Sequence, residues 1–227
     1  MSNKFKPSTR VYKRKCQEIE ILIFYRMILH RISRHLSPEE VSFLMGKPLD
    51  FMTRIETFRI KQIFMHDVLV MNDVLEINNL DTMVHMGVNI SSEQKRYELH
   101  MTKLADRVIY QLYKVNEEQD QRVTEFKLID IRHDIDPYES STADEGEKIA
   151  AFLDGQIDAG YFSEEKEPYE VHKLCCEKLE KYIRPKNLMK VLDDLLSLSD
   201  ERKIVRKESP YGVVYVLAAH AESTEKK

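Results

Sequence analysis

Two groups of side chains in this 227-residue sequence have types and spacing that bear on chemistry: one suggests a metal, the other phosphate. His133-Asp134-Ile135-Asp136 offers ligand types for a divalent cation, but no second cluster completes a ligand set. Cys175-Cys176 sits in a helical stretch beside Leu174 and Leu179 and reads as partly core. With Cys16 the thiols are odd in number and contain no CxxC pair, so neither a disulfide framework nor a zinc site is expected. The eight histidines include no HExxH, no serine lies in a GxSxG elbow, and six glycines form no loop able to cradle phosphates. Carboxylates crowd residues 117–170, where seventeen acidic side chains stand against five basic ones. Such density solvates a segment rather than pairing groups for acid–base work. The expectation is a non-enzymatic protein with no metal and no cofactor.

The phosphate-directed group lies near the C-terminus. Arg184, Lys186, Asn187 and Lys190 cluster at the start of a predicted helix, where the orphan N–H groups and the helix dipole favour an anion. Arg202, Lys203, Arg206 and Lys207 follow on a β-rich run, with Asp193-Asp194 and Asp200-Glu201 close by. The net charge of −4 conceals an uneven distribution. Residues 1–66 hold thirteen basic and six acidic side chains, and residues 171–227 hold twelve and nine. A basic head, an acidic middle and a mildly basic tail imply segments with different partners.

An apolar content of 42% suffices for packed cores, and the longest apolar run, Ile21 to Tyr25, is far short of the ~20 residues of a membrane span. The N-terminus lacks the apolar core of a secretory signal, so the expectation is a cytoplasmic protein with no membrane partner.

The elements that must position these groups follow from periodicity. Residues 1–15, with six basic groups and no acid, read as a flexible arm. From Gln17 to His35 apolar side chains recur at helical spacing and extend over most of the circumference, which implies cover by a second domain or subunit and suggests a homodimer. Ser37-Pro38-Glu39-Glu40 has every part of a helix start, including a capping box. It opens a short helix of about Pro38 to Met45, ended by Gly46. Helices of about Leu49 to Thr57 and Arg59 to Leu75 follow, and residues 78–95 are turn-like. Tyr97 to Leu104, Arg107 to Val115 and Val123 to Arg132 read as a small antiparallel sheet, although the first two also satisfy a helical template. Residues 133–146 form an acidic linker. Three helical periods then precede a hairpin formed by Lys203 to Arg206 and Val213 to Leu217.

Leu36 to Glu56, LSPEEVSFLMGKPLDFMTRIE, resembles the lambda-repressor and Cro-like helix-turn-helix family without a gap. Ser42 supplies the small contact residue, Gly46 the left-handed turn, and Val41, Met45, Met52 and Ile55 the apolar lock. The resemblance implies a second helix laid in the DNA major groove, with Thr53 and Arg54 as the retained contacts. Other contact positions depart from the pattern: Pro38, Leu49 and Asp50 replace residues suited to phosphate, and Phe43, Leu44 and Phe51 are apolar where polar side chains are usual. Apolar outer faces imply a cover. Residues 147–218 more loosely resemble the winged-helix superfamily: Leu188, Val191, Leu192, Leu195 and Leu196 line the inner face of its last helix. Gly212 and Tyr215-Val216-Leu217 supply the return strand of the wing.

These features predict an α+β protein. Its parts would be the basic arm (1–15), a helix-turn-helix domain (16–77), a small β-containing middle (78–132), the linker (133–146), a winged-helix-like domain (147–219) and a disordered tail (220–227). The leading expectation is binding of duplex DNA through Thr53, Arg54, Arg184, Lys186, Asn187, Lys190, Arg202, Lys203, Arg206 and Lys207. The alternative is a protein-interaction module that docks an apolar partner through Phe43, Leu44, Leu49 and Phe51.

Overall fold

The computed structural model describes residues 6–77, 79–83, 91–116, 119, 121–131, 141–198 and 203–221. The fold is α+β and divides into two compact units. Unit 1 comprises residues 1–41 and 50–137, and unit 2 comprises residues 42–49 and 138–227. The division falls within the segment read as a helix-turn-helix: its turn, Ser42–Leu49, belongs to unit 2, while its second helix belongs to unit 1.

Unit 1 is built on a four-stranded antiparallel meander of β1 (Ser8–Gln17), β2 (Gln94–Lys103), β3 (Arg107–Asn116) and β4 (Gln121–Ile131). β2, β3 and β4 are the expected small antiparallel sheet, and the helical alternative for its first two segments falls. The first departure is β1: residues 8–15 are not a flexible arm but an edge strand, paired with β2 from Ser8 opposite Lys103 to Gln17 opposite Gln94. Alternation explains it, because Tyr12 and Cys16 turn to the core while Val11, Lys13 and Lys15 turn away. The helix α1 (Glu18–Ser33) packs over the inner face, where Ile21, Phe24 and Ile28 meet Tyr97, Leu99, Tyr110 and Leu112. The helical head and the β middle therefore share one core. No residue of α1 beyond Glu18 and Ser33 is exposed, so the chain itself covers this over-apolar helix, which no longer argues for a second copy.

Arg31 anchors the polar end of that core. Its fully buried guanidinium donates to Glu56 Oε1 (2.6 Å), Asp130 Oδ2 (2.8 Å), the Leu36 carbonyl (2.9 Å) and the Tyr110 hydroxyl (3.2 Å). Tyr110 in turn donates to Glu56 Oε2 at 2.8 Å. Burial opposes the Arg31 charge, but Glu56, Tyr110 and Asp130 more than offset it and raise its pKa. Burial, followed by Glu56, holds the Tyr110 phenol well above its ordinary range.

The predicted capping box is present: Glu40 N–H donates to Ser37 Oγ (3.1 Å) and Ser37 N–H to Glu40 Oε2 (2.8 Å), opening α2 (Pro38–Leu44). The helix α3 runs Phe51–Glu56, and α4 is confined to Met65–Val74, so the expected helix from Arg59 to Leu75 lacks its first turns. Arg59 and Ile60 N–H both donate to the Arg54 carbonyl, and the Arg14 guanidinium takes the Ile60 and Lys61 carbonyls, which diverts this stretch from helical pairing. A short α5 (Leu80–Met83) interrupts the turn-like segment.

Unit 2 contains α6 (Ser141–Asp158), a short 3₁₀ turn (Tyr161–Ser163), α7 (Pro168–Lys178), α8 (Pro185–Leu196), the hairpin β5 (Ile204–Ser209) and β6 (Gly212–Leu217), and α9 (Ala218–Ala221). Lys166 forms an isolated bridge with Tyr215, which adds a third rung beside β6. Because α6 begins at Ser141, residues 141–146 belong to a helix and not to a linker. Most of the predicted linker, including His133-Asp134-Ile135-Asp136, lies outside the described residues.

Candidate nucleic-acid interface

The start of α8 is where sequence reasoning placed phosphate, and there the structure supplies a carboxylate of its own. Glu145 of α6, 6% exposed, accepts hydrogen bonds from Arg184 N–H (3.2 Å) and Asn187 Nδ2 (2.5 Å) and forms an ion pair with Lys181 (2.7 Å). Burial works against its charge, but Lys181, Asn187 and the Arg184 amide prevail and hold its carboxyl below the ordinary carboxylate range. A charge at this helix terminus is thus internal. Asn187 is buried and ties α8 to α6, which corrects its reading as a DNA contact.

The remaining cations of α8 and the hairpin differ in availability. Lys190 is exposed, while Arg184 and Lys186 are half-buried. On β5, Arg206 is exposed and Lys207 pairs with Glu165 at 2.9 Å, and Lys203, just before the strand, is half-buried. Arg202 lies outside the described residues. Tyr215, opposite Arg206 in the hairpin, has its phenol pushed up to about 12 by burial, with Arg206 lowering it and Asp193 of α8 raising it.

The turn before α3 has a different task from the one its sequence suggests. Gly46, at φ +65°, accepts Val213 N–H at 2.7 Å, and a Cβ on it would lie 2.8 Å from the Val213 carbonyl oxygen. Gly212 approaches from the other side, where a Cβ would stand 2.7 Å from the Gly46 carbonyl oxygen. Two glycines thus let the turn backbone lie directly on the hairpin.

Of the predicted docking face, Phe43 and Leu44 are buried within the chain, Phe51 is half-buried and only Leu49 is exposed, at 47%. The apolar residues that implied a partner are largely core residues, so the four do not form a presented face. Arg54 is exposed and Thr53 half-buried on α3, a helix of six residues preceded by exposed Asp50. Cys175 is fully buried and burial pushes its thiol up to about 12, as a core cysteine requires. Cys176 accepts Ile183 N–H at 3.3 Å and lies 3.6 Å from His172 Nε2.

No protein-family model, curated protein or solved structure matches this chain. Among the described residues no helix is long and apolar enough to cross a membrane, and no group of three or more His, Cys, Asp or Glu could hold a metal ion.

Proposed function

We propose that this is a cytoplasmic duplex-DNA-binding protein of regulatory type, and that unit 2 carries the contact. The carrying observation is the chain order in unit 2: α6, the Lys166 rung, α7, α8 and the β5–β6 hairpin, with Lys186 and Lys190 on α8, Lys203 just before β5 and Arg206 on β5. This order supports a winged-helix-like reading in which α8 approaches the major groove and the hairpin follows the flanking backbone. Cations beside a helix and a wing neutralise phosphates and fix register, and the exposed polar side chains of α8 read base edges. Cys16, Cys175 and Cys176 form no disulfide, which suits a reducing compartment.

The reading predicts that Lys190→Ala and Arg206→Ala each weaken binding to a short labelled duplex several-fold, measured by fluorescence anisotropy, because each removes one phosphate contact. Asn187→Ala should lower the unfolding temperature instead, since it releases Glu145 from its partner. Binding unchanged in both cation variants would place the contact elsewhere or nowhere.

A further inference from the structure

The face of the unit 1 sheet that turns away from α1 carries an unassigned arrangement of side chains. Its inner face holds Tyr97, Leu99 and Met101 of β2, so alternation turns Arg96, Glu98 and His100 outward. Strand register extends that outer face: Lys13 lies opposite Glu98, Arg96 opposite Val115, which itself faces Arg122, and Gln111 opposite Lys127. The cations of the face are Lys13, Lys15, Arg96, Arg107, Arg122 and Lys127.

Three of these cations converge on one carboxylate. Glu98 is 2% exposed and meets Arg122 at 2.9 Å, Lys13 at 3.3 Å and Arg96 at 3.7 Å, whereas the three cations keep 43%, 57% and 40% of their side-chain surface in water. One buried negative charge therefore fixes three exposed positive ones in place and is itself screened from an incoming anion. Beside them His100 and Tyr113 form an edge-to-face pair with centroids 4.9 Å apart. Arg107 is already joined to neighbouring Asp106 at the turn.

We infer that this open sheet face binds single-stranded nucleic acid, its phosphates held by the cations and a base stacked on the Tyr113–His100 pair. A positively charged sheet face with an aromatic pair on its two central strands complements a chain of phosphates and unpaired bases. The site is independent of the duplex contact proposed for unit 2.

The test uses the full chain and fluorescein-labelled oligothymidine and oligouridine, titrated by anisotropy at low salt. Wild type should bind, with a salt slope that Lys15→Glu combined with Lys127→Glu reduces by about 1.4, the equivalent of two single-strand phosphates. Both lysines are exposed, so the double variant should keep the wild-type unfolding temperature. Tyr113→Leu should weaken binding about tenfold by removing the stacking partner. Lys190→Ala should leave this binding unchanged while weakening duplex binding, which separates the two sites. The ratio of oligouridine to oligothymidine affinity tells whether the natural strand is RNA or DNA. No binding of either strand, or binding unaffected by both the lysine pair and Tyr113→Leu, overturns the inference.

Discussion

Arg31 and Glu145 each anchor a helix through partners far away in sequence. Replacing Arg31 with Met would leave Glu56 and Asp130 as buried carboxylates with no cation between them, a loss of about 3–5 kcal/mol for a broken buried pair. Urea unfolding measures this, and adding Glu56→Gln and Asp130→Asn to Arg31→Met should recover part of the loss. Glu145 gives a pH-dependent prediction. Its carboxyl is held below its ordinary value in the folded state, so its stabilisation is full above about 4.5 and declines as pH falls through the lower, folded-state value. Glu145→Gln should therefore destabilise the protein at neutral pH and flatten the acid side of its stability profile; an unchanged profile would contradict the assignment. Neither group was legible in the sequence. Arg31 lies 25 residues from Glu56 and 99 from Asp130, and no periodicity joins such positions. Asn187 looked like a surface residue because its partner, Glu145, fell in a stretch whose acid density suggested solvation.

At the scale of elements, local rules served well where local chemistry decides. The Ser37–Glu40 capping box and the final hairpin both stand where their residues implied. They failed where a tertiary partner decides. Six cations in residues 1–15 masked the alternation of Tyr12, Arg14 and Cys16 that makes β1 an edge strand, and Arg14 itself diverts residues 60–61 from the predicted helix. Gly46 was identified as a turn residue, but its close approach to Val213 was not encoded nearby. Gly46→Ala should cost about 1–3 kcal/mol, because the new Cβ meets a backbone oxygen at 2.8 Å and the residue has positive φ. Gly155→Ala on exposed α6, with nothing within 4 Å, should stabilise by about 0.5–1 kcal/mol. Thermal unfolding of the two variants should move in opposite directions.

For the whole molecule, the even-looking net charge resolves into placed charge. Arg10, Lys13, Arg14 and Lys15 of the basic head lie on β1, while Lys186, Lys190, Arg206 and Lys207 of the basic tail lie on α8 and the hairpin of a separate unit. The sequence showed that these segments differ in sign, but it did not show which cations are occupied by the chain itself. Lys207 is paired with Glu165 and Lys181 with Glu145; Lys186 and Lys190 of α8, Lys203 before β5 and Arg206 of β5 form the proposed phosphate set. The most direct measurement is the affinity of the full chain for duplex DNA as a function of salt. Four phosphate contacts predict a linear fall of log K with log salt of slope about −3.6, reduced by about two in a Lys190→Glu, Arg206→Glu variant. No duplex binding at about 50 mM salt, or a slope unchanged in that variant, would contradict the proposed function.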